Sequence, residues 1–161
     1  MVLELAEGVV DDIISALSAD PGGMADKLDE IDAEKADFVL PDIKAYYRAE
    51  RRAIPEFPAI LVRCDRSVMV AEHPSIVTMA HELTIGVLHL DTDEDRLVLA
   101  LERYQRAIFE VIKAAEAAGA IPDMVLFQEF HEGAIWAPSS SEFLSDVRIT
   151  LTVRRRETWG V

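Results

Sequence analysis

The strongest periodicity in the chain lies between residues 81 and 153. Leu83, Ile85 and Val87 alternate with Glu82, Thr84 and Gly86, the period of two of a strand with unlike faces, so Thr78–Leu90 reads as a strand. Leu88 and Leu90 reverse the alternation, which points to a bulge or to burial of both faces. Leu97, Leu101, Tyr104, Ile108, Val111, Ile112 and Ala115 then recur at helical spacing, with Glu102, Arg103, Arg106, Glu110, Lys113 and Glu116 mainly on the other side. The predicted helix, Asp93–Ala118, is roughly 39 Å long at the α-helical rise. Its start signal is the acidic run Asp91–Asp95, with Asp91 or Thr92 as the cap, and Gly119 and Pro122 stop it. Met124–His131 and Asp146–Arg154 read as strands, the second with Val147, Ile149, Leu151 and Val153 on one face. A helix this long with a single apolar stripe must lie on something, and the flanking strands supply the platform.

The rest of the chain fills in around that unit. Leu3–Leu17 carries a helical stripe of Ala6, Val9, Val10, Ile13, Ile14 and Leu17, ended by Asp20-Pro21-Gly22-Gly23. Met24–Asp37 is acidic and weakly periodic, a short helix or a mobile arm. Asp42–Ala53 is predicted as a further helix that can bury Ile43, Tyr46, Tyr47 and Ala53. After Pro55 and Pro58, Ala59–Cys64 is a continuous apolar run suited to a central strand. Asp65-Arg66 reads as a tight turn and Ser67–Glu72 as the returning strand. Gly133–Ser141 reads as a loop. This order predicts an α+β fold in one domain: a helical acidic region over 1–53, then a sheet-plus-helix core over 54–161. The core is a mostly antiparallel mixed sheet of about five strands with the long helix across one face. A crossover through that helix would make one strand pair parallel.

Charge narrows the functional classes. Sixteen Lys and Arg against thirty Asp and Glu give a net charge of −14, which argues against a nucleic-acid-binding surface. Residues 1–37 hold eleven acids against Lys27 and Lys35, while Arg154-Arg155-Arg156 forms a basic run near the other end. These two regions either pair between subunits or are simply solvated. The aromatic and basic group Tyr46-Tyr47-Arg48 with Arg51-Arg52 is read as a helix edge with snorkelling arginines rather than a stacking patch. Cys64 is single, so no internal disulfide forms, and it reads as a core thiol. No positively charged segment precedes an apolar run at the N-terminus, so no signal peptide is expected. No apolar run approaches the ~20 residues that span a bilayer.

No catalytic motif stands out. His81 and His89 lie on one predicted strand, roughly 26 Å apart at strand rise, too far to share an ion. Glu129 and His131 share a strand face but lack a third ligand, so no metal is assigned. Ser139-Ser140-Ser141 lacks the glycines of a nucleophile elbow, and Gly22-Gly23 lacks the Lys-Ser/Thr of a phosphate loop. No catalytic, cofactor-binding or metal residue is therefore assigned. The candidates are interface residues: Trp136 and Trp159, anchors of a type favoured at protein contacts, with Arg148 and Arg154 of the final strand.

Four segments together resemble bacteriophage tail-terminator and tail-completion proteins, which join tail to head. They are the Pro-flanked Ile54–Val62, His81–Val87 ahead of an acidic helix start, Leu101–Ile108 with Tyr104 before Ala107-Ile108, and the alternating Val147–Val153. The likeness spans residues 54–156 and is a pattern of elements. It implies a structural, non-enzymatic virion protein of a phage or prophage, assembled in the host bacterial cytoplasm. Such a protein forms a homo-oligomeric ring, commonly of six subunits, that ends the tail tube and meets the head-connector proteins. DNA passes through the hole without specific binding, and neither a cofactor nor a membrane is involved. The final strand or the Gly133–Ser141 loop would serve as patches for the heterologous contacts of a ring. Two other readings compete: a small α+β enzyme or ligand-binding domain using acids and His131, and an adaptor or immunity-type protein whose acidic N-terminal third binds a basic partner.

Overall fold

The computed structural model describes residues 2–48 and 53–158, with backbone alone for 2–5 and 158. Three helices, α1 (Val2–Leu17), α2 (Met24–Lys35) and α3 (Glu94–Ala117), accompany a mixed six-stranded sheet, so the fold is α+β. The strands are β1 (Ala45–Arg48), β2 (Ala59–His73), β3 (Ile76–Asp91), β4 (Met124–Glu132), β5 (Trp136–Ser139) and β6 (Glu142–Thr158). Their order is β1-β2-β3-β6-β4, with β5 pairing β6 off that path.

The central strand β3 sets the architecture. Every second residue from Val77 to His89 is buried, and the residues between them are only partly so. The buried set includes His81 and His89, so the alternation runs unbroken through Leu88 and Leu90. Those two leucines belong to the opposite face, and no bulge interrupts the β3–β6 pairing. Reading His89 as polar hid this. The inner faces of β2, β3 and β6 share one apolar core with all three helices, including Ile13 and Leu17 of α1, Leu28 and Ile31 of α2, and Leu97, Tyr104 and Ile108 of α3. The N-cap of α3 is Asp93, which accepts from the Arg96 backbone N–H at 3.0 Å. Asp91, one of the two expected caps, instead takes the Arg96 guanidinium. Gly119, at φ 77°, supplies the left-handed stop.

Four expectations are corrected. The predicted helix Asp42–Ala53 is strand β1 over Ala45–Arg48, running parallel to β2, and residues 49–52 lie outside the described residues. Tyr46 and Tyr47 favour a strand, and opposite faces suit them: Tyr46 joins the core and donates its hydroxyl to the Leu17 carbonyl. Asp65-Arg66 is no turn. Strand β2 continues through a register shift there and a second near Val70, and the hairpin reverses after His73. The Gly133–Ser141 loop contains β5, which raises the strand count to six. Finally, β3 and β4 do run parallel across α3, but β6 lies between them, and the parallel neighbours are β1 and β2.

The acidic N-terminal third is part of the core, and six of its carboxylates, Glu7, Asp11, Asp12, Glu30, Glu34 and Asp37, pair with cations of the same chain among the described residues. Arg48 reaches Glu7 and Asp11 of α1, Arg106 of α3 reaches Glu34 of α2 at 2.8 Å, and Arg103 grips Asp37 with two bonds of 2.7 Å while lying over the Phe38 ring. The Arg103 guanidinium holds the Asp37 carboxyl down at about 2. Arg155 on the inner face of β6 bonds both Asp12 of α1 and the buried Asp123 ahead of β4. Deleting residues 1–37 is therefore expected to abolish cooperative thermal unfolding rather than to shed an arm. Ile13→Ala should lower stability by about 2–5 kcal/mol, read as a lower urea midpoint at unchanged slope. A truncated protein that keeps the full-length transition would show that α1 and α2 contribute nothing to the core.

Candidate functional site

All three helices pack on one face of the sheet, and the described residues leave the other face largely uncovered. One rung of that face crosses five strands: Tyr47, Leu61, Gly86, Arg148 and His131. Toward the β5 end the next positions are Leu88 opposite Asp146, then Leu144 opposite Trp136. Between these rungs lies a hollow of about 210 Å³, partly open to solvent. Gly86 is its floor, where an added Cβ would meet nothing within 4 Å. Ile54, Leu61, Leu88, Leu144 and the exposed Trp136 supply apolar walls. Arg63 and Arg148 stand at its polar side, each beside an aspartate of its own strand, Asp65 at 2.6 Å and Asp146 at 2.8 Å. The mixture of apolar walls and paired charges suits a side chain or small molecule with an apolar body and a polar margin.

Among the described residues, five arginines sit on this face by register: Arg63, Arg66, Arg148, Arg154 and Arg156. Arg66 forks onto Glu82 at 2.6 and 3.1 Å. With Asp65, Glu129 and Asp146 also here, charge is near parity on a protein whose net charge is −14. The acid excess lies in the helical layer.

Of the sequence-derived interface candidates, Trp136 and Arg148 meet at the hollow. Arg154 is on the same face but six residues further along β6, about 20 Å away at strand rise, where it faces Met124 and Ala80. Trp159 lies outside the described residues. Glu129 and His131 do share this face, opposite Thr150 and Arg148, and no group of three or more potential ligands for a metal ion exists among the described residues. Ser139 and Ser141 flank the β5–β6 turn. Sequence reasoning passed over Gly86 and Arg63. The available signal was a glycine in the middle of an otherwise bulky strand, a common mark of close approach by something else.

Two further apolar patches are exposed. Val68, Met69, Val70 and Ile76 lie near the tip of the β2–β3 hairpin. At the β4 edge, Phe130 stacks on Phe127 at 5.9 Å, and Phe109 of α3 joins them.

Two buried histidines with lowered pKa values lie on the opposite, helix-covered face. His89 has no hydrogen-bond partner on either ring nitrogen and meets Tyr104 edge-on at 5.6 Å. Burial keeps it neutral by pushing its pKa down, against the pull of Asp91 and with the push of Arg96. His81 Nδ1 pairs with Ser67 Oγ at 2.8 Å across β2 and β3, and Cys64 Sγ lies 3.6 Å from that hydroxyl. Burial lowers the His81 pKa as well, and nearby Arg155 adds to it against Asp123. Ser67–His81 is the nearest approach to a nucleophile–base pair, but His81 is fully buried and its Nε2 has no hydrogen-bonded carboxylate to orient it. The pair therefore acts as a cross-strand tie.

The chain matches no family model and no curated protein. No helix among the described residues is long and apolar enough to cross a membrane.

The buried histidines make a specific pH dependence. Their folded pKa values lie below the ordinary ~6.5, so the unfolded chain binds protons first. Stability is full above about pH 6.5 and falls as pH drops toward the folded values, by at most about 1.4 kcal/mol per histidine per pH unit. Asp37 contributes only later, between 3.8 and about 2. Urea midpoints taken from pH 7.5 to 5, within ordinary stability assays, should fall for the wild type and fall less steeply for His89→Phe. Equal slopes would show that His89 takes up its proton without loss of packing.

Proposed function

We propose that this protein is a structural assembly protein of a phage or prophage tail, one that forms a ring closing the tail tube and joining it to the head. The observation that carries this reading is the uncovered sheet face, with a shaped hollow beside arginines, on a protein whose helical layer is strongly acidic. Such a molecule presents two unlike surfaces, as head-to-tail ring contacts require. The exposed apolar hairpin tip and β4 edge add surface for the tube and connector proteins. The role is geometric and not catalytic: the buried titrating groups of the inner face, His81, His89 and Tyr104, are engaged in packing, a cross-strand tie and a bond to the Pro41 carbonyl. A net-acidic ring would let DNA slide through without adhering. Assembly would take place in the bacterial cytoplasm and the product would reside in the virion.

The adaptor reading loses ground, because residues 1–37 pack into the core and six of their acids are turned to cations of the same chain. The hollow over Gly86 favours a second reading, a small ligand-binding domain, and native mass spectrometry can separate the two. Purified protein alone, and mixed with tail tubes, is expected to give closed rings in native spectra and negative-stain images. A protein that stays monomeric alone and leaves tubes uncapped would overturn the tail-assembly reading.

A further inference from the structure

The two surfaces just described fit each other. On the outward side of α3, Asp95, Leu99 and Glu102 form one exposed stripe at helical spacing. Leu99 is 40% exposed, and Val39, in the linker that Arg103 holds against α3, is 80% exposed. Neither Asp95 nor Glu102 has an ion-pair partner among the described residues. The stripe is thus an apolar knob with a carboxylate one turn to either side. The hollow over Gly86 is the counterpart: apolar walls with the Arg63–Asp65 and Arg148–Asp146 pairs at its margin, whose guanidiniums can take a second carboxylate.

We propose that the uncovered sheet face of one copy receives the outer face of α3 of a second copy, with Leu99 seated over Gly86 and its flanking acids meeting Arg63 and Arg148. Three considerations select this occupant. A sheet with helices on one face gains burial when a helical layer covers the other, and here that layer comes from a neighbour. Self-association of a strongly acidic chain is least opposed where its charge is balanced, and the sheet face, with Arg63, Arg66, Arg148, Arg154 and Arg156 beside Asp65, Glu82, Glu129 and Asp146, is such a place. Gly86 leaves room over the strand that any larger residue would occupy. The contact is heterologous, so every copy uses both surfaces, and the series either closes into a ring or runs on as a filament. This inference rests on the self-assembling reading above and adds the surfaces that make the joint.

Two substitutions test it, one on each side. Gly86→Val fills the hollow at a strand position with open space above it, and Leu99→Asp puts a charge on the solvent side of α3. Both variants should keep the wild-type circular dichroism, with Leu99→Asp melting as the wild type does and Gly86→Val melting no lower. In native mass spectra the wild type should assemble while each variant alone stays monomeric. An equimolar mixture of the two should give a 1:1 pair and nothing longer, because only the sheet face of Leu99→Asp and the helix of Gly86→Val remain intact. Assembly of both variants like the wild type would overturn this contact and leave the ring reading standing. A wild type that remains monomeric overturns this contact, and overturns the ring reading too if tail tubes mixed with it stay uncapped. A small molecule travelling with the wild-type monomer and lost in Gly86→Val would replace the second copy as the occupant.

Discussion

Everything in this fold depends on burying one side of β3. That strand sits at the middle of the sheet, and its inner stripe from Val77 to His89 is covered by α1 and α3. The hydrophobic effect is strongest where both surfaces are continuous, and the α3 stripe from Leu97 to Ile112 meets that condition. The remaining elements are positioned by it. Helix α2 packs mainly on α3, β1 extends the sheet beyond β2, and Arg155 ties α1 to the turn before β4.

Charge follows the same division. Residues 1–37 could not form a packed layer with eleven unopposed carboxylates, and arginines from β1, α3 and β6 enter to oppose them. Exposed pairs of this kind contribute little individually. Their value here is directional, since each joins segments far apart in sequence and fixes where the helices lie.

Much of the scaffold was legible in the sequence because its signals are local. The apolar stripes of α1 and α3, the alternation in β3 and β6, and the Gly119 stop each need only a dozen neighbouring residues to be recognised. What escaped was set by distant partners. Tyr46 and Tyr47 look helical until β2 pairs with them, Trp136 looks like loop until β6 does, and Asp65 looks like a turn because a bulge and a reversal use similar residues. At the site, Trp136 and Arg148 could be named from the sequence as surface-reactive types. Their meeting over Gly86 depends on strand register, which no local pattern carries.

Gly86 also sets a conflict between robustness and use. A glycine inside a strand weakens it by about 0.5–1 kcal/mol relative to alanine, and here no neighbouring atom forbids a larger side chain. Directed evolution for heat tolerance would therefore favour replacing it, and the hardier protein would have a plugged sheet. Marginal stability at this position is what keeps the surface available.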